Sequence, residues 1–279
     1  MNKLKSRTLV GWLPEQEGAL SIAGRNVSAA PNPDHLAICQ SARLAAAGRP
    51  EGCDQTDIFS ALPVELNVHI EALQANPKSA QILSAVGPLR MVDLRKVCAA
   101  QPTVNVEEAS ARVAHLDAMN TVAIAEVTIP LPKQSMLPVS FDPTKNAWIL
   151  SSANPNLRVS GNFNGEVQPG MAGIGFAVEL STSYLQVAGV NGRYFLRDGY
   201  HRAYGLLAAG INVVPALVHD YATIEDVGMP IGLLSPITYL GNKPPLLTDY
   251  LDDTVSVDTT LPVSTKMIVI QALEIASII

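Results

Sequence analysis

Residues 192–218 constrain the fold of this chain more than any other stretch, because start and stop signals for a strand, a turn, a helix and a second strand follow one another without a gap. Tyr194 to Leu196 has the aromatic and apolar character of a buried strand. Asp198-Gly199 is a turn pair whose glycine takes a positive φ at no steric cost. Asp198 is placed to cap a helix over 199–209 by accepting from its first-turn amides, and Gly210 suits the residue just past its end. Ala203, Leu206, Leu207 and Gly210 fall on one apolar helical face, with His201, Tyr204 and Gly205 beside it. The β-branched run 213–218 then reads as a core strand.

The charge at the start of that helix is unusual. Arg197 precedes it and His201 and Arg202 lie in its first turn, where the helix dipole already collects positive charge. Stability alone would place acids there. Three potential cations at this end therefore point to an anion held against the turn, as phosphate groups are held at helix N-termini.

The order strand, Asp198-Gly199, a variable residue, His201-Arg202-Ala203, a helix closing on Gly210-Ile211, and a strand containing Val214-Pro215 is similar to the C-terminal half of the ParB/sulfiredoxin-like domain. A second piece lies upstream. Residues 91–97, then Gln101-Pro102, then an acidic helix over 107–118 resemble the first strand, Gln-Pro turn and following helix of ParB-like domains. Where that pattern continues with a basic residue, this chain has Thr103. The resemblance covers roughly 89–221, broken by an insertion. It implies an α+β fold, a mixed sheet with flanking helices, and a Gly-X-His-Arg turn that handles nucleotide phosphates. Sulfiredoxins act through a cysteine immediately before the His-Arg pair; Tyr200 stands there, so that activity is not expected.

Organisation follows from the punctuation of the chain. Residues 1–87 are expected to form an arm, irregular or a short hairpin to about 33, followed by a small helical subdomain: a helix capped by Asp34 and running to Ala47, then helices over 63–75 and 77–86. His35 and His69 read as structural there. Residues 88–222 are assigned to the ParB/sulfiredoxin-like domain, with 121–129 as a further strand. The segment 130–190 is a β-rich insertion with strands near 137–141, 147–150, 157–159, 175–180 and 184–190. Its turns are placed at 151–156 and at Gly161-Asn162-Phe163-Asn164-Gly165. It could act as a lid over the Asp198 turn, with Trp148, Asn154, Asn156 and Arg158 the residues of interest, or simply be turn-rich.

Residues 223–279 are a C-terminal extension. It opens on a capping pattern at 223–226, continues into a helical 246–251, and carries Asp249, Asp252 and Asp253, read either as a Mg²⁺ cluster or as a solvated acidic turn. Its apolar run from Met267 is a core strand or a partner-binding segment.

Composition limits the functions. At 279 residues, 48% hydrophobic and 16% charged, the chain can bury one large core or two modest ones. A net charge of −6 argues against nucleic acid as a partner. The three cysteines, Cys39, Cys53 and Cys98, lack Cys-X-X-Cys spacing, so neither a disulfide framework nor a zinc site is indicated, and reduced thiols in the cytoplasm are expected. The basic start is followed by too short an apolar stretch for a signal peptide, and no run approaches the ~20 residues of a membrane span.

The leading expectation is a nucleotide-binding protein of the ATP or CTP type, a hydrolase or phosphotransferase if it turns over. Arg197, Arg202 and the amides of Gly199 and Tyr200 would hold phosphate oxygens, and Gln101 would lie at the edge of the site. His201 would be donor or general acid. Asp198 would place Mg²⁺ or a water, and Tyr200 or Tyr204 would stack on a base. A ParB-like nuclease and a non-catalytic scaffold that keeps the fold remain the alternatives, and a homodimer is open.

Overall fold

The computed structural model describes residues 3–24, 32–133, 137–152, 154, 156–230, 232–262 and 265–273. It is mixed α+β with several small sheets. The chain divides into two compact units, 1–131 with 183–263, and 132–182 with 264–279. The first contains β1 (Lys3–Thr8), α1 (Glu15–Ile22), α2 (Pro33–Ala47), β2 (Phe59–Ser60), α3 (Asn67–Ala75), α4 (Pro77–Val86), β3 (Leu89–Asp93), β4 (Thr103–Asn105), α5 (Val106–Val113) and α6 (Thr121–Thr128). The second contributes β5 (Val139–Asp142), β6 (Ala147–Ser152), β7 (Leu157–Gln168) and β8 (Met171–Leu180). The first unit resumes with β9 (Gln186–Val190), β10 (Arg193–Asp198), α7 (Tyr200–Ala208), β11 (Val213–Tyr221), α8 (Pro236–Tyr239) and β12 (Val257–Pro262), and the second closes with β13 (Lys266–Gln271).

The first unit is built on a five-stranded sheet in the order β10-β9-β11-β3-β2. The β9–β10 hairpin is antiparallel; α7 then carries the chain over so that β11 lies parallel to β9 and antiparallel to β3. A three-stranded antiparallel sheet, β12-β1-β4, stands apart from it. One cluster of buried side chains joins the two: Val104, Ala109 and Val113 pack with Leu196, Val214 and Ala216 around Ala203, Leu206 and Leu207 of α7. Helix α7 is therefore the central element. From Tyr200 to Leu207 every residue except His201 is buried, so the single apolar face expected from spacing extends nearly all round.

Helices α5 and α7 approach closely because Gly205 has no side chain. A Cβ there would lie 2.6 Å from the Ala109 carbonyl oxygen. Between β4, β1 and β12 runs a row of hydroxyls, Thr103 to Thr8 at 3.0 Å and Thr8 to Thr259 at 2.9 Å. Thr103 thus has a structural partner where the ParB-like pattern has a basic residue.

Several sequence expectations are corrected. Residues 121–128 form helix α6, not a strand: Asn120 caps it by accepting from the Ala123 amide, and Ile124, Ala125 and Thr128 are its buried face. The arm at 3–22 is ordered as β1, a 3₁₀ turn and α1, with β1 the middle strand of its sheet. Helix α2 is capped by Asn32, which accepts from the Asp34 amide at 2.9 Å, rather than by Asp34. Gly161 to Gly165 lies inside β7; the hairpin turns at Gln168–Met171, where Gly170 has φ 78°.

The second unit holds a three-stranded sheet, β13-β6-β5, and the β7–β8 hairpin. Trp148 packs on Phe141 with ring centroids 4.9 Å apart, and Asn154 accepts from the Asn156 amide at 2.9 Å, a local turn bond. Arg158 lies in β7. Residues 153 and 155 of the expected turn, and 274–279 of the final apolar run, fall outside the described residues.

Candidate functional site

The turn between β10 and α7 begins with an irregularity. The β9–β10 register shifts between Leu196 and Asp198, so Arg197 is the extra residue of a bulge. Its guanidinium donates to the Gln186 side-chain oxygen at 3.1 Å and stands 5.8 Å from the centre of the Tyr221 ring.

Asp198 does not cap the helix. Its carboxylate accepts instead from the Ser183 hydroxyl at 2.8 Å, and the cap position is Gly199, in the left-handed conformation at φ 99°, ψ 21°, with no side chain bonded to the first-turn amides. Only a residue without a Cβ suits this backbone, and one added there would also meet the Leu185 Cα at 3.2 Å. The serine is decisive because it offers the carboxylate a partner outside the turn. Helix α7 is left with an open N-terminus.

Arg202 lies beneath the turn. It is 4% exposed, and its guanidinium donates to the Ser183 carbonyl at 2.7 Å, the Ser183 hydroxyl at 2.8 Å, and the carbonyls of Val127 and Thr128 at 3.2 and 3.4 Å. Its Nε is buried without a partner. Burial lowers its pKa to about 10, which leaves it charged at neutral pH. The Ser183–Asp198 pair, linked to Arg202 through the same hydroxyl, neutralises part of that charge. Arg202 ties the end of α6, the entry to β9 and the turn together.

His201 is the one α7 residue between 200 and 207 that reaches outward, with 30% of its side chain exposed. Its Nε2 is 3.8 Å from the Glu108 carboxylate, whose other oxygen is ion-paired with Arg112. Burial lowers the imidazole pKa, partly countered by Glu108 and reinforced by Arg112 and Arg202, so His201 is neutral at pH 7.

The tyrosines support the turn from inside. Tyr200 donates its hydroxyl to the Leu196 carbonyl and accepts from the Ala100 amide at 2.9 Å, and burial holds its pKa well above the usual value. Tyr204 is buried edge-on to Tyr250, ring centres 6.1 Å apart. Gln101 donates to the Thr103 carbonyl at 2.5 Å, and its own carbonyl accepts from the Tyr250 hydroxyl.

The structure therefore brings Asp198, Gly199, His201 and Arg202 to one place, joined by Glu108, Arg112 and Ser183. Arg197 is engaged with Gln186 and Tyr221, and both tyrosines are packed inward. Sequence reasoning missed Ser183, Glu108 and Arg112. Glu108 and Arg112 had a signal in their i, i+4 spacing on the acidic helix; Ser183 had none.

The acidic cluster of the C-terminal extension is ion-paired. Arg49 reaches Asp249 at 2.5 Å and Asp252 at 2.7 Å, while Arg7 reaches Asp253 at 2.7 Å. Burial raises the Asp249 pKa against the opposing pull of Arg49. Among the described residues no group of three or more His, Cys, Asp or Glu side chains is placed to hold a metal ion. No helix among them is long and apolar enough to cross a membrane.

Comparison with known proteins finds no matching family model, no matching curated protein and no matching solved structure.

Proposed function

We propose that this chain binds a phosphate-bearing small molecule, of the nucleotide type implied by the resemblance to ParB/sulfiredoxin-like domains, at the open N-terminus of α7. One observation carries the reading: the helix starts at a left-handed glycine with no side chain on its first-turn amides, although a carboxylate stands one residue before it and is bonded elsewhere. An uncapped helix end attracts an anion through its free amides and its dipole. Arg202 adds a fixed buried charge, its guanidinium 3.3 Å from where a Gly199 Cβ would be, and acts as a positioning residue rather than a phosphate contact. His201 is the side chain available to the ligand, as hydrogen-bond donor or, once protonated, general acid. A nucleoside triphosphate would bring its own Mg²⁺, with Asp198 the carboxylate closest in sequence to the phosphate-holding amides.

Calorimetric titration of ATP, CTP and inorganic triphosphate against wild type and His201→Gln tests the reading. Binding of at least one ligand, weakened about tenfold by the substitution at unchanged melting temperature, is expected. No heat with any of the three at millimolar concentration would refute it.

A non-catalytic interaction role has a separate observation in its favour. On the second unit the β7–β8 hairpin exposes apolar side chains on both faces, Phe163 and Val167 on one and Ile174 and Phe176 on the other, which is exposure of the kind that marks an interface. Sedimentation of the full chain before and after charge substitution at Phe163 and Ile174 tests it; assembly that persists in the variant would exclude this hairpin as its cause.

A further inference from the structure

Two of the three cysteines, 45 residues apart in sequence, meet in the first unit. The sulfurs of Cys53 and Cys98 are 3.6 Å apart and both are free thiols. Their surroundings differ. Cys98 is fully buried and held by its own backbone, its amide donating to the Tyr194 carbonyl at 3.1 Å and its carbonyl accepting from the Leu196 amide at 2.9 Å. Cys53 is half-buried in the loop between α2 and β2.

That loop is fastened on either side of the thiol. The Gly52 amide donates to the Asn242 carbonyl at 2.6 Å. The Gln55 side chain donates to the carbonyls of Lys96 and Tyr194 at 2.8 and 2.7 Å and accepts from the Tyr194 amide at 2.9 Å. The sulfurs are thus set at their separation by bonded backbone. Arg193 completes the group, its guanidinium donating to the Cys53 sulfur.

A hydrogen bond from the Cys98 thiol and the charge of Arg193 lower the Cys53 pKa to about 6, while the same hydrogen bond and burial push Cys98 far up. The contacts favour the thiolate at Cys53 and the thiol at Cys98. This asymmetry is what a nucleophile and a resolving partner require.

We propose that Cys53 and Cys98 form a redox-active dithiol that reacts with hydroperoxides and closes into a reversible disulfide. In the first step the Cys53 thiolate attacks the terminal peroxide oxygen. The S–O bond forms, the O–O bond breaks, and the departing oxygen leaves as alcohol or water after taking one proton from solvent. Sulfur is oxidised by two electrons to the sulfenic acid. In the second, the Cys98 sulfur attacks the Cys53 sulfur, forming the S–S bond and expelling hydroxide, which leaves as water with the Cys98 proton. A dithiol reductant reverses the pair by thiol–disulfide exchange. Closure needs the sulfurs to move from 3.6 Å to about 2.05 Å, a shift that lies on the half-buried Cys53 side because the backbone of Cys98 is bridged to β10 at Phe195.

The test treats the reduced full chain with one equivalent of hydrogen peroxide at pH 7 and maps disulfides by mass spectrometry without reduction. A Cys53–Cys98 linked peptide that dithiothreitol dissolves is expected. Cys98→Ser should halt at the sulfenic acid, trapped by dimedone at Cys53. Arg193→Gln should slow the first step on the order of tenfold, as the thiolate fraction falls. Oxidation of Cys53 no faster than that of the buried Cys39, or linkage only between separate molecules, would overturn the proposal. So would a Cys98→Ser variant that keeps the wild-type circular dichroism spectrum and melting temperature yet traps no sulfenic acid.

Discussion

Replacing Arg202 separates a buried support from a surface ligand contact. The guanidinium makes two short bonds, both to Ser183, and two longer ones to the carbonyls of Val127 and Thr128. The Thr128 carbonyl also accepts from the Leu185 amide at 2.7 Å, so it keeps a partner when the arginine is lost. The Ser183 carbonyl and hydroxyl depend on Arg202 more heavily. A hydrogen bond to a charged group contributes about 1.5–3 kcal/mol. Two such bonds put Arg202→Ala at about 3–6 kcal/mol of lost stability, before any contribution from the cavity left by a long buried side chain. Arg202→Lys keeps the charge but not the planar fork and cannot reach both Ser183 atoms in the same geometry, so about 2–3 kcal/mol is expected. Urea unfolding followed by circular dichroism, with the slope checked against wild type, reads both. An alanine variant within about 1 kcal/mol of wild type would show that the guanidinium is not holding this turn, and the reasoning would fail.

Other outcomes follow from the same contacts. Gly205→Ala should destabilise by about 1–3 kcal/mol despite alanine's better helix propensity, because its Cβ would meet the α5 backbone at 2.6 Å; a melting temperature at or above wild type would contradict this. Ligand affinity should rise as pH falls toward and below the ordinary histidine range, because the lowered imidazole pKa is raised when an anion binds and a proton is taken up, against a background set by Glu108, Arg112, Arg202 and Asp198. His201→Gln should flatten that dependence, and an unchanged slope would remove His201 from the site. The rate of Cys53 alkylation by iodoacetamide should rise through a midpoint near pH about 6 rather than the ~8.5 of a free thiol; a midpoint above about 8 would contradict the Cys98 and Arg193 contacts with this sulfur. Arg49→Ala should cost about 2–4 kcal/mol at pH 7, since Asp249 is then a buried charge without its partner, and the loss should shrink as pH falls and that carboxylate takes up a proton.

What the sequence made legible was local. The strand–turn–helix–strand run from Tyr194 to Val218 stands as β10, α7 and β11 because Gly199 and Gly210, at φ 99° and 77°, fix its two corners. Residues 121–128 read as a strand because their apolar run, broken only by Glu126, carries too little periodicity to separate helix from strand. The turn placed at Gly161–Gly165 failed for a related reason: glycine and asparagine permit a turn without requiring one, and ten residue pairs of the β7–β8 ladder outweigh them.

The larger misses are long-range. Capping by Asp198 was reasonable from sequence until Ser183, fifteen residues upstream, took the carboxylate. The acidic cluster at 249–253, open in the sequence between a cation site and a solvated turn, is instead ion-paired with Arg7 and Arg49, some two hundred positions away. The Cys53–Cys98 pair had no spacing signal, because its members are brought together by separate loops.

The central claim is that an anion sits at the uncapped start of α7, beside the half-buried His201. It is tested most directly by following the backbone amide resonances of uniformly ¹⁵N-labelled protein during addition of inorganic triphosphate and then ATP. The account predicts that the largest shifts fall on Gly199, Tyr200 and His201 and saturate together. Shifts that are absent there, or that centre on another part of the chain, would contradict it.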